Sequence, residues 1–215
     1  MPSTHRRKYS LDFPLGVHDH QIELIMWKRW KEKPFSENLL NPPHEHILRA
    51  CRMLFTDEQL SINPWFEKMA EAWMQPFSIL WGCASSGKSH ALGLFTLLDY
   101  LESPNETFSL LASTTKEMLM LRSFASVIQY LQYLKANKQF EVPFKTVNQP
   151  LCVVPESVDE SGVVSVKGKI LGVAVQQGTE QQARQNMQGV HLPYSRLILD
   201  ELAGMRPAAM ATRSN

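Results

Sequence analysis

Gly82-Cys-Ala-Ser-Ser-Gly87-Lys88-Ser89 decides the reading of this chain, because it fits the phosphate-binding pattern G-x-x-x-x-G-K-[ST] and lies between two legible elements. Ahead of it runs Phe77-Ser-Ile-Leu-Trp81, an apolar stretch that predicts a buried strand. After the lysine, Ser89-His-Ala-Leu-Gly-Leu-Phe-Thr-Leu-Leu-Asp-Tyr-Leu101 predicts a mostly apolar helix. The spacing has a chemical reason. Two glycines let the backbone wrap a diphosphate with its amides inward, Lys88 reaches the β- and γ-phosphates, and the Ser89 hydroxyl ligates magnesium. The phosphates would sit at the positive N-terminal end of the following helix. Gly82, Cys83, Ala84, Ser85, Ser86, Gly87, Lys88, Ser89 and His90 are therefore the expected nucleotide-contacting residues, with ATP and Mg2+ as cofactors.

The second half of such a site is expected far downstream, in Arg196-Leu-Ile-Leu-Asp200-Glu201, an apolar strand ending in two adjacent carboxylates, the form of a Walker B strand. In that form Asp200 holds the magnesium through water, and Glu201 orients the water that attacks the γ-phosphate. Neighbouring residues at a strand end face opposite sides, so two adjacent acids can take separate roles. Arg184 reads either as a γ-phosphate finger or as a helix surface charge. Gln59 reads either as a reader of the adenine edge or as a solvated loop residue.

The chain has 215 residues, 44% of them hydrophobic, enough for one α/β domain with a helical preface. A formal net charge of +1 gives no basic surplus, so any contact with nucleic acid must come from a local patch. Three cysteines, Cys51, Cys83 and Cys152, show no C-x-x-C spacing and predict reduced thiols; Cys83, inside the loop, is either alkylation-sensitive or simply a small residue there. No run approaches the ~18 apolar residues of a membrane helix, and His5-Arg-Arg-Lys8 lacks the apolar stretch of a signal peptide. The expectation is a soluble intracellular protein without a membrane partner.

Along the chain, Asp19 to Lys31 predicts a helix with Ile22, Ile25, Met26 and Trp30 on one face. Ile47, Leu48, Cys51, Leu54 and Phe55 repeat the helical period, and Asn63-Pro64 caps and opens a helix with Trp65, Phe66, Met69 and Trp73 inward. Residues 1–76 thus predict a helical region and 77–215 an α/β core. In that core Phe108-Ser-Leu-Leu-Ala112 predicts a strand, and Thr115 caps one long helix reaching about Asn137. The alternation predicts a mostly parallel sheet. Leu151–Val154, Val163–Val166 and Ile170–Val175 read as a small antiparallel insertion, and Thr179 with Gln182 opens a helix over 180–188. His18-Asp-His20 and His44-Glu-His46 carry ligand-type residues without a third cluster and read as surface polar residues.

Taken together these residues resemble the ATPase domain of the large terminase subunit of tailed bacteriophages. The carriers are Gly82–Ser89, the turn Leu110-Leu-Ala-Ser-Thr-Thr115 into a helix, Gly189-Val-His191 ahead of the second motif, and Leu197-Ile-Leu-Asp-Glu201, a span from about Gln59 to the C-terminus. The resemblance implies a P-loop NTPase that hydrolyses ATP to translocate double-stranded DNA into a procapsid in the cytoplasm of a bacterial host. It further implies a homo-oligomeric ring with a portal protein and a small terminase subunit as partners. Large terminases often carry an arginine in the phosphate loop, whereas positions 83–86 here hold Cys, Ala, Ser and Ser; Arg184 or a neighbouring subunit would supply that charge. The family continues past the second motif with a coupling strand and a nuclease domain, so the resemblance implies an ATPase core incomplete at its C-terminus. A helicase-like translocase, or an inactive product that acts only as a binding module, shares the same motifs.

Overall fold

A computed structural model of the chain describes residues 43–83, 85–136, 142–159, 161–163, 165–174 and 192–200. Glu201, Arg184, Ala84, the expected helices over 19–31 and 180–188, and Gly189 to His191 lie outside the described residues. The chain divides into two compact units, residues 1–88 and 89–215.

In the first unit, helix α1 (Pro43–Leu54) buries Ile47, Leu48, Cys51 and Leu54, the stripe its periodicity predicts. Helix α2 (Pro64–Trp73) opens as cap chemistry dictates: Asn63 has extended backbone, its Oδ1 accepts from Phe66 N at 3.0 Å, and Pro64 gives up no needed N–H. Phe66, Met69 and Trp73 face inward, but Trp65, one residue off that stripe, is exposed. The expected strand 77–81 is not formed. The segment carries no strand pairing, and Phe77, Ile79 and Trp81 are 55%, 63% and 87% exposed. A strand is stable only against a hydrogen-bonded neighbour, and no described strand supplies one to this segment.

The second unit is α/β, a five-stranded mixed sheet flanked by helices. Helix α3 (Lys88–Glu102) leads to β1 (Thr107–Ser113), then α4 (Lys116–Leu121), α5 (Ser123–Ala136), β2 (Phe144–Asn148), β3 (Leu151–Pro155), β4 (Lys169–Ala174) and β5 (Tyr194–Leu199). The strand order is β2-β3-β4-β1-β5, with β1 parallel to β4 and β5, and β3 antiparallel to both β4 and β2. The sheet is therefore not mostly parallel, and the region 151–174 is no separate antiparallel insertion: β4 is the parallel neighbour of β1, and β3 extends the same sheet. The hairpin Asn148 to Leu151, through a cis Gln149–Pro150 bond, allows only antiparallel pairing of β2 and β3. Of the expected strand 163–166, the described residues Val163, Ser165 and Val166 form no strand. Asp159 Oδ1 accepts from Gly162 N and Ser161 Oγ, and Ser165 N donates to Gly162 O, so local polar bonds override the β propensity of the valines.

Thr115 caps as predicted, its Oγ1 accepting from Met118 N at 3.1 Å, but the single long helix is two, broken at Arg122 with φ −127° and ψ −108°. The break lets α5 approach α3 closely. A Cβ on Gly93 would stand 2.4 Å from Ser123 O and 2.7 Å from Ser126 Cβ, so only glycine fits there. Thr107 Oγ1 donates to Asp99 O of α3, and a Cβ on Gly172, the partner of Leu111, would touch Leu119 of α4 and Phe124 of α5. By the pleat, Thr107, Ser109, Leu111 and Ser113 of β1 all face these helices. Cys152, Val154 and Val163 form a second cluster with Leu171 on the opposite face.

A partly buried ion pair ties α3 to β5. Arg196 Nε lies 3.6 Å from Asp99 Oδ2, with the Asp99 side chain 3% exposed. Burial pulls the guanidinium below its ordinary pKa and the Asp99 carboxylate pushes it back. Arg196→Ala should therefore destabilise the fold by roughly 3 kcal/mol, because it strips a buried carboxylate of its cation. Chemical denaturation measures this, and a loss below about 1 kcal/mol would mean that the pair is solvent-screened.

Candidate functional site

The loop 82–88 is shaped by backbone handedness. Gly87 has φ +80° and Ser85 φ +60°, while Ser86 between them has ordinary negative φ. Alternating hands of this kind turn successive amides to one side and form an anion-binding concavity, and a serine held in the left-handed region carries strain that the loop must support. Lys88 folds back over this loop. Its Nζ donates to Gly82 O at 2.9 Å, Cys83 O at 2.7 Å and Ser86 Oγ at 2.9 Å, which accounts for all three ammonium hydrogens. The Cys83 thiol is exposed, whereas burial raises the pKa of both Cys51 and Cys152. Gln59 makes a local turn: its Oε1 accepts from Thr56 N at 3.1 Å.

In the second unit the sequence motifs meet. Ser89 Oγ donates to Asp200 Oδ1 at 3.0 Å across 111 residues of chain. Asp200 is held from behind by its own N–H, which donates to Ala112 O at 2.9 Å and continues the β1–β5 ladder one step past Leu199. The carboxylate is 8% exposed, and among the described residues its buried Oδ2 has no hydrogen-bond partner. The pair fits magnesium. Mg2+ takes oxygen ligands at 2.0–2.1 Å in an octahedron whose edge is about 2.9 Å and retains several waters, so two oxygens 3.0 Å apart match neighbouring positions of that shell, a spacing that suits Asp200 as a direct ligand where the sequence predicts binding through water. Among the described residues no group of three or more His, Cys, Asp or Glu side chains could hold a metal ion.

His90, next to Ser89, turns to α5. Its Nδ1 lies 3.2 Å from Ser126 Oγ and its Nε2 contacts Tyr130 Oη. Ser126 spends its hydroxyl hydrogen on Arg122 O, so His90 Nδ1–H donates to Ser126 and the bare Nε2 accepts from Tyr130. Burial lowers the His90 pKa in keeping with this neutral tautomer. Both ring nitrogens are thus engaged in orienting the first turn of α3. Sequence reasoning passed over Tyr130, Ser126, Asp99 and Ser113; the signal for the first three is polar groups on otherwise apolar helices. Among the described residues no helix is long and apolar enough to cross a membrane. Comparison of the chain with protein-family models, curated proteins and solved structures gives no match.

Proposed function

We propose that the chain is a magnesium-dependent ATPase of the P-loop class, and that it serves as the ATPase core of a viral DNA-packaging motor of the large-terminase kind. The observation that carries the hydrolase reading is the 3.0 Å hydrogen bond between Ser89 and Asp200, with the second carboxylate oxygen buried and unpartnered among the described residues. Two residues chosen from separate motifs for the same metal lie in contact. The packaging role rests on the family resemblance of the motifs, with double-stranded DNA, a portal protein and a small terminase subunit as the implied partners.

In this mechanism the loop amides and the N-terminus of α3 receive the phosphates, and Lys88 exchanges its three loop acceptors for β- and γ-phosphate oxygens. Ser89 and Asp200 would hold the magnesium, which would supply neutralising charge to the transferring phosphoryl group. Glu201, following Asp200 in the chain, orients the attacking water and accepts its proton. Arg184, or an arginine of a neighbouring subunit, supplies the remaining positive charge.

Glu201→Gln tests the reading most directly. Turnover should fall on the order of a hundredfold or more while ATP still binds, because the amide keeps the shape and loses the base. ATPase rate and nucleotide affinity measured together decide it. A normal rate removes Glu201 from the chemistry, and absence of any ATPase activity in the wild-type protein, with and without DNA, removes the enzyme reading itself.

A further inference from the structure

We propose that Ser113 is a third protein oxygen of the divalent-cation site, supplied by β1 beside Ser89 and Asp200; this rests on the ATPase reading above. Register comes first. Ala112 pairs with Leu199 in the parallel β1–β5 ladder, and Asp200 N continues that ladder to Ala112 O, so Ser113 stands beside Asp200. Register partners in a parallel pair lie about 4.8 Å apart and leave the same face of the sheet. That face is the one α3 covers, since Asp200 meets Ser89 there and Thr107, two pleats from Leu111 on the same side as Ser113, meets Asp99 O.

The second observation is that both neighbours carry an orphan oxygen. Ser113 is fully buried, and its Oγ, like Asp200 Oδ2, has no hydrogen-bond partner among the described residues. Two buried polar groups on residues that stand side by side in the register, neither bonded to the other, are each costly, and one polar occupant between them removes both costs. The chemistry of that occupant follows from the donors. A carboxylate and two hydroxyls present hard oxygens only, which suit Mg2+ or Mn2+ and do not suit zinc or another soft metal. Ser113 also sits at the C-terminal end of its strand, as Asp200 does at the end of β5, the edge of a parallel sheet where ligands bind.

The test is Ser113→Ala in the full chain. Thermal melting without ligand should be unchanged or raised, because the substitution removes an orphan hydroxyl and little volume. Melting with the non-hydrolysable analogue AMP-PNP and titrated Mg2+ should need on the order of tenfold more Mg2+ for half the stabilisation, the usual scale for outer and supporting ligands. Ser113→Cys should regain Mg2+-type stabilisation with Cd2+, which a thiolate prefers. Wild-type Mg2+ dependence in Ser113→Ala overturns the proposal and leaves the ATPase reading standing. A wild-type protein with no Mg2+-dependent stabilisation overturns both. A variant that melts lower without ligand and titrates normally assigns Ser113 to packing.

Discussion

Lys88→Ala should lower ATP turnover by about a thousandfold or more, roughly 4 kcal/mol of transition-state stabilisation, and should abolish stabilisation by MgATP analogues. The magnitude follows from what the side chain does in the free protein. Its ammonium closes the loop on itself through Gly82 O, Cys83 O and Ser86 Oγ, so the loop already holds one cation at its centre. Incoming phosphate oxygens replace those three neutral acceptors with charged ones, which adds ion-pair attraction to bonds the ammonium already makes charge-assisted. The two carbonyl contacts are exposed and the Ser86 contact is half-buried, so their loss costs little folding energy and the variant should melt within a few degrees of the wild type. Lys88→Arg should not restore function, because a planar guanidinium cannot reach three acceptors arranged around one point. ATPase rates and analogue-dependent melting of both variants check this. Unchanged affinity and rate in Lys88→Ala would remove the loop from nucleotide binding.

What was legible in the sequence was what neighbours along the chain decide. Asn63 and Thr115 cap their helices because an Asn or Thr oxygen reaches an N–H three residues on, whatever the rest of the fold does. The stripe of α1 and the apolar strands β1 and β5 were equally local. The contact of Ser89 with Asp200 joins the two stretches that the sequence reading assigns to one site. The failures were matters of partnership. Residues 77–81 have strand composition, but a strand exists only where another lies alongside, and that information belongs to the neighbour. β2 went unread because Phe144 to Asn148 is short and outermost among the described strands, and only Phe144 is buried. The break at Arg122 was invisible in 116–136, since the close approach it permits is to the bare Cα of Gly93 on another helix. Ser113 was read only as part of a turn, because its place beside Asp200 is a property of strand register.

Asp200→Asn should move stability and function in opposite directions. The carboxylate is almost fully buried, Oδ1 has one hydrogen-bond donor in Ser89, and among the described residues Oδ2 has none. A charged oxygen held away from water without a donor is an expense of the fold, tolerated where a cation completes it. Asparagine keeps the Oδ1 acceptor for Ser89 and replaces the buried charged oxygen with a neutral amide group. The ligand-free protein should gain about 1–3 kcal/mol, several degrees of melting temperature for a chain of this size. The cation meanwhile loses its charged protein ligand. Mg2+-dependent stabilisation by AMP-PNP should vanish, and turnover should fall on the order of a hundredfold or more. Melting curves with and without Mg2+ and analogue, beside ATPase rates, read both effects on one variant. A protein that melts lower and keeps its Mg2+ dependence would make Asp200 a structural acceptor for Ser89. A gain in stability with turnover intact would leave the buried oxygen unexplained and move the metal elsewhere.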